Sequence, residues 1–227
     1  MVFARKRFGQ NFLHDEGVIE RIVSAIGPSP QDALVEIGPG HGALTEPLLE
    51  RAGRLDAIEI DRDLAATLQE RFAGQGLTLH VADALRFDFA ALAVQRGRKL
   101  RVVGNLPYNV STPLLFHLLE AHGSIEDLHI MLQREVIARI CAAPGSDDYG
   151  RLTVMLAPWV VAEALFEVGP GAFRPAPKVW SAVARLTVRE APAFPVDARF
   201  GRVVAAAFSQ RRKTLRNGLR ALLDAAA

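Results

Sequence analysis

The sequence predicts an α/β chain: a mostly parallel sheet of seven strands with helices on both faces, followed by the start of a small helical unit. Three observations predict it. Short, apolar, β-rich segments alternate with helical patterns from about residue 17 to 190. Such alternation means parallel strands joined by crossover helices. Glycines cluster directly after the first long strand, in "EIGPGHG". Polar side chains then stand at the ends of the next three strands, the edge at which open parallel sheets bind ligands. With 227 residues, half of them hydrophobic, the chain has room for one large domain and a small appendage.

The elements follow in order. The opening "MVFARKRFGQNFLHD" is basic and lacks the apolar stretch of a signal peptide. Strands are predicted at "ALVEI" (33–37), "LDAIEI" (55–60), "LTLHVA" (77–82), "RVVGN" (101–105) and "LHIMLQ" (128–133), with helical patterns such as "LTEPLLERA" and "DLAATLQERFA" between them. Two later strands, near 160–168 and 181–188, have no obvious long helix between them, which predicts an antiparallel end to the sheet. The run "VMLAPWVVAEALF" contains Pro158 and Glu163 and is too short to span a bilayer. Proline-bearing "REAPAFPVDARF" (189–200) reads as a linker. Two units are therefore expected: residues 1–190, and residues 195–227 as the beginning of a helical domain that this chain does not complete. A single cysteine, Cys141, allows no internal disulfide and suits a reducing cytosol. The formal charge of +2 is too mild to argue a nucleic-acid partner by itself. The chain reads as a soluble cytoplasmic monomer with no membrane partner.

The glycine turn holds Gly38, Gly40 and Gly42 in a G-x-G-x-G spacing. Glycine lets backbone turn tightly and approach a ligand closely. The dinucleotide fingerprint is G-x-G-x-x-G, with a pyrophosphate on the helix that follows. Here the third glycine comes one residue early, which favours a ligand without a pyrophosphate, such as S-adenosyl-L-methionine. Glu59 ends the second strand, where an acid can accept both ribose hydroxyls. Asp83 ends the third, where a carboxylate can take the amino group of an adenine ring. Each alone would pass for a helix cap. Together with Asn105 at the end of the fourth strand, behind a glycine turn, they point to a Rossmann-like methyltransferase fold. No metal is called for.

Asn105 opens "NLPY". An exocyclic amine on a base is a poor nucleophile, because its lone pair is delocalised into the ring. Acceptors aimed at its two N–H bonds would free that lone pair. The Asn105 side-chain carbonyl is one; the Leu106 backbone carbonyl, aimed by the turn that Pro107 fixes, is the other. Tyr108 offers a flat face on which a flipped base can stack.

Eight blocks carry a family resemblance: "RKRFGQNFLHD", "VEIGPGHGALTEPL", "IEIDRDLA", "VVGNLPYNVSTPLLFHLL", "MLQREVIARI", "YGRLTVM", "AFRPAPKVWSAVARL" and "AFSQRRKTLRNGL". The chain resembles the ribosomal RNA adenine N6-dimethyltransferases, most of all their bacterial small-subunit type. The resemblance implies that two adjacent adenosines in the 3′-terminal hairpin loop of 16S rRNA are the substrate. It places donor contacts on Asn11, Leu13, Gly38, Glu59, Asp83 and Asn105, with Gly40 in the same turn. It places the adenine clamp on Asn105, Leu106, Pro107, Tyr108 and Phe173, the last held by the prolines of "RPAP". A sister enzyme acting on large-subunit rRNA, of the macrolide-resistance type, and a non-catalytic assembly factor on the same fold remain alternatives.

Two basic clusters are candidates for RNA phosphates. Arg5, Lys6 and Arg7 lie near the start; Arg211, Arg212, Lys213, Arg216 and Arg220 lie near the end. Arg212, Arg216 and Arg220 recur at helical spacing. Phe208, Leu215, Leu219 and Leu222 are expected on another face of the same helix, docking it.

Overall fold

A computed structural model describes residues 10–210 and 213–224. Its sheet has seven strands: β2 (Ala33–Ile37), β3 (Leu55–Glu59), β4 (Leu77–Val81), β5 (Leu100–Asn105), β6 (Ile125–Gln133), β7 (Val160–Val168) and β9 (Ser181–Val188), in the order β4-β3-β2-β5-β6-β9-β7. The first five in that order pair in parallel. β9 runs antiparallel to both β6 and β7, the expected antiparallel end. A separate two-stranded ladder joins β1 (Phe12–Leu13) to β8 (Phe173–Arg174), tying the start of the described chain to a segment far along it.

Helices cover both faces. α1 (Glu16–Ile26), α2 (Thr45–Ala52) and α3 (Arg62–Arg71) pack on one; α4 (Phe89–Arg96), α5 (Ser111–Glu120), α6 (Arg134–Ile140) and α7 (Arg151–Leu156) pack on the other. The strands are apolar on both sides for this reason: Val35 and Val102 face the α4–α7 layer, Leu34 and Val103 the α1–α3 layer. Short polar side chains start several helices. Asp15, Asp61 and Asp88 each accept a backbone N–H from the first turn of the helix they cap, satisfying donors with no partner inside that helix. At the opposite edge of the sheet from the glycine turn, Arg101 donates to Asp127 at 2.9 Å, Asp32 at 2.8 Å and the Ile26 carbonyl at 2.8 Å. That network locks β5, β6 and the end of α1 together.

The C-terminal region differs in one respect from the sequence reading. α8 (Phe200–Ala207) ends before α9 (Leu215–Asp224) begins, so Phe208 caps α8 and does not share a helix with Leu215. Leu215 is itself 61 % exposed. The tight contact lies instead at Gly218, where a Cβ would stand 2.9 Å from the Ala206 carbonyl oxygen; only a glycine lets the two helices approach that far. Lys213, Arg216 and Arg220 are exposed. Arg5, Lys6, Arg7, Arg211 and Arg212 lie outside the described residues. No helix among the described residues is long and apolar enough to cross a membrane.

The sheet reverses its winding between β2 and β5, and this is the crevice where an open α/β sheet receives a ligand. The two strands meet closely. A Cβ on Gly104 would stand 2.6 Å from the Ile37 carbonyl oxygen and 3.1 Å from Leu106 Cδ2. Gly104→Ala is therefore expected to lower stability by about 1–3 kcal/mol, the scale of overpacking a core. Denaturant unfolding measures it, and an unchanged midpoint would show that the strands have room.

Candidate active site

A cavity of about 250 Å³ opens at this crevice. Its floor is the turn after β2. Gly38 and Gly40 adopt positive φ of 68° and 60°, a region that favours glycine. Nothing lies within 4 Å of a Cβ built on Gly38, so the space over it is open to a ligand. A Cβ on Gly40 would meet the Phe12 ring at 2.9 Å. The N-terminal segment thus lies directly on the glycine turn, and Phe12 also packs against His41, ring centroids 4.2 Å apart. Asn11 and Leu13 join the same wall.

The predicted polar residues converge here. Glu59 is buried at the end of β3 and accepts N–H bonds from Asp61 at 2.9 Å and Gly40 at 3.3 Å. Burial pushes its carboxyl above the ordinary range; the Asp61 and Gly40 N–H groups pull it back, and the charge of Asp61 raises it again. Asp83 reaches the wall from beyond β4 while its Oδ1 accepts the Leu85 N–H at 3.0 Å. Asn105 ends β5 and donates its amide N–H to the Asn11 carbonyl at 3.0 Å, which leaves the carbonyl limb of the amide as an acceptor. The Leu106 N–H is pinned to the Met131 carbonyl at 3.2 Å, so the turn into Pro107 is anchored on β6. The Tyr108 hydroxyl shares a 2.7 Å hydrogen bond with Ser181 Oγ, which sets the angle of its ring. Gly38, Gly40, Leu106, Pro107 and Tyr108 all line the cavity.

Phe173 does not stand with them. It is 2 % exposed and packs in the core layer with Val168, Ala172 and Val183, off the cavity wall. In the β1–β8 ladder Phe173 pairs directly with Leu13, and both are buried in that core layer.

One residue escaped the sequence reading. Glu36 lies in the middle of β2, is 2 % exposed, lines the cavity and accepts the Thr45 hydroxyl at 2.6 Å. The signal was available, since a lone acid inside "ALVEI" has no place on a strand buried on both faces. The residues present fit a cationic sulfonium donor: acidic walls at Glu36, Glu59 and Asp83, and glycine backbone where the ligand must come close. Among the described residues no cluster could hold a metal ion.

Burial raises the Glu36 carboxyl to about 7, against the Thr45 hydrogen bond that lowers it, and the Glu59 charge adds to the rise. The unfolded chain loses this proton near the ordinary carboxylate value, so the folded chain holds it through the window up to about 7. Stability is full below that window and falls as pH rises through it. Glu36→Gln cannot ionise. It is expected to unfold like the unsubstituted protein near pH 4.5 and to exceed it at pH 8, by on the order of 3 kcal/mol for a shift of this size. Paired denaturant curves at the two pH values check this; the same difference at both would mean an ionised Glu36 throughout.

Known proteins align with this site along nearly the whole chain. The model of the family described as ribosomal RNA adenine dimethylase matches residues 1–227. The chain is 58 % identical to the ribosomal RNA small subunit methyltransferase A of Methylococcus capsulatus, over 97 % of this chain and 86 % of that protein. It is 62 % identical to the protein of the same name from a Burkholderia species, over 95 % and 79 %. Among solved structures, a dimethyladenosine transferase from Plasmodium falciparum superposes with a TM-score of 0.82 at 27 % identity, over 94 % of this chain and 77 % of that one. The 23S rRNA methyltransferase ErmE superposes with a TM-score of 0.75 at 31 % identity, over 93 % and 84 %. With a family model matched over its whole length and relatives more than half identical to it, the chain belongs to the ribosomal RNA adenine dimethylase family.

Proposed function

We propose that this protein dimethylates N6 of two adjacent adenosines in the 3′-terminal hairpin loop of 16S rRNA, within the small ribosomal subunit or its precursor, using S-adenosyl-L-methionine. The small-subunit reading rests on identity: 55–62 % to relatives named for that subunit, against 31 % to the 23S enzyme. The donor supplies an electrophilic methyl on a sulfonium, already a good leaving group. Gly38 and Gly40 give it backbone to lie on, Glu59 accepts its ribose hydroxyls, Asp83 accepts its adenine amino group, and Asn11 and Leu13 cover it.

The observation that carries the chemistry is the fixed amide of Asn105. With its N–H held by Asn11, its carbonyl faces one N–H of the target amine. The Leu106 carbonyl takes the other. The two acceptors draw the nitrogen out of conjugation, and its lone pair becomes available to the methyl carbon. The proton left on the alkylated nitrogen passes to water, and a second round on the same nitrogen completes the dimethyl group. Tyr108 stacks on the flipped base. Outside the cavity, exposed Lys213, Arg216 and Arg220 take rRNA phosphates, with Arg5, Lys6, Arg7, Arg211 and Arg212 in the same role; residues 195–227 carry most of them. The donor wall and the amide clamp come from a single chain, and the enzyme works as a cytoplasmic monomer.

Incubation with labelled donor and separated unmethylated subunits should place N6,N6-dimethyladenosine in 16S rRNA alone. Label confined to large-subunit rRNA would overturn the substrate. Asn105→Ala should lower the single-turnover rate about 10²–10³-fold at saturating donor, by analogy with loss of one preorganised hydrogen-bonding group at a reacting centre. A variant that methylates at the unsubstituted rate would remove Asn105 from the clamp.

A further inference from the structure

The sheet edge that carries the clamp continues beyond it. β9 begins at Ser181, fully buried and bonded to the Tyr108 hydroxyl. The preceding residue, Trp180, is 49 % exposed. Its six-membered ring lies over Gly169: a Cβ on that glycine would stand 3.7, 3.8 and 3.9 Å from three ring carbons. The Trp180 carbonyl accepts the Arg134 N–H at 2.9 Å, which fixes the backbone beneath the ring. The indole is therefore propped from one side and held in place, with much of its surface in water. The other tryptophan, Trp159, is half-buried and packs on His122. Leaving a large aromatic ring outside the core forgoes hydrophobic stabilisation and calls for a reason.

Its surroundings supply one. Arg174 at the end of β8 and Lys178 in the segment leading to Trp180 are both exposed, and no carboxylate pairs with either among the described residues. Arg134 is also exposed, though it pairs with Glu167 at 3.4 Å, and Glu135 beside it pairs with Arg139 at 3.7 Å. Tyr108 follows β5 and Trp180 precedes β9, two strands over at the same edge of the sheet, and the Tyr108 hydroxyl bonds Ser181, the residue next to Trp180. An aromatic face with free cations beside it, next to a clamp for one flipped base, matches single-stranded nucleic acid: bases stack on the ring and phosphates meet the cations.

We propose that Trp180 is the stacking platform for a nucleotide flanking the methylated adenosine, with Arg174 and Lys178 on that strand's phosphates. This rests on the reading of the chain as an RNA adenine dimethylase, and assigns Trp180 to substrate binding instead of the chemical step. Trp180→Ala should raise KM for unmethylated small subunits about 5- to 150-fold, the equivalent of losing about 1–3 kcal/mol of base stacking. Donor affinity by calorimetry and the single-turnover rate at saturating subunit should stay unchanged, which also shows that the variant is folded. Trp180→Phe should stay within about threefold of the unsubstituted KM, since a ring still stacks. An unchanged KM for Trp180→Ala would overturn the platform, as would a Trp180→Phe variant as weak as the alanine one. A methylation-independent measurement separates this inference from the reading beneath it. In a Trp159→Phe background, the remaining Trp180 fluorescence should be quenched by a single-stranded RNA oligonucleotide. Quenching in a protein that methylates neither subunit would leave the platform standing and remove the assigned reaction; no quenching in an active enzyme would do the reverse.

Discussion

The site depends on how closely β2 and β5 approach. Gly104 lies against the Ile37 carbonyl with no space for a single methyl group, so the ends of these two strands leave the sheet side by side. Each then delivers its turn to the same place: the glycine turn from β2 and the Asn-Leu-Pro-Tyr turn from β5. The donor floor and the amine clamp are thus positioned by one backbone contact, supported from the far edge by the Arg101 network that keeps β5 and β6 in register. The Gly38 N–H adds a bond to the Ile58 carbonyl at 2.9 Å, which ties the turn to β3 and brings Glu59 under it.

Electrostatics in the cavity follow from that burial. Glu36 and Glu59 sit on neighbouring strands, two residues apart in register, and the Glu59 charge adds to the cost of ionising Glu36. Backbone N–H groups and the Thr45 hydroxyl offset part of the penalty but leave the cavity short of positive charge. A cationic donor completes it. A demethylated, neutral product completes it less well, which gives the site a physical basis for releasing spent donor.

Much of this was legible in the residues. The seven strands and their antiparallel end follow from short apolar runs, because both faces of the sheet are covered and no strand needs an alternating pattern. Glu59, Asp83 and Asn105 were legible because each polar residue closes an apolar run at the binding edge. Glu36 was missed because attention to strand ends passes over an acid in mid-strand, where burial and not position is the signal. The burial of Phe173 was not legible: "FRPAP" looks like a rigid loop presenting a ring, and the pairing of β8 with β1, distant in sequence, is what sets it beside Leu13. Phe208 was placed on a helix by periodicity alone, which cannot see the break between α8 and α9.

The hydrogen bond from Asn105 to Asn11 has a kinetic consequence. On the proposed mechanism one amide serves two parts of the machine: its nitrogen holds the Asn11 carbonyl in the segment assigned to the donor, and its oxygen is the acceptor assigned to the nucleophile. Any substitution there loosens the cover as well as the clamp, so its effect is shared between donor dissociation and the rate of transfer. The two losses are not independent, and effects measured at Asn105 and along residues 11–13 will not sum. The same link runs in the other direction. Whatever steadies the N-terminal segment also steadies the amide assigned to the amine, and under that mechanism holding the donor and readying the acceptor are a single act.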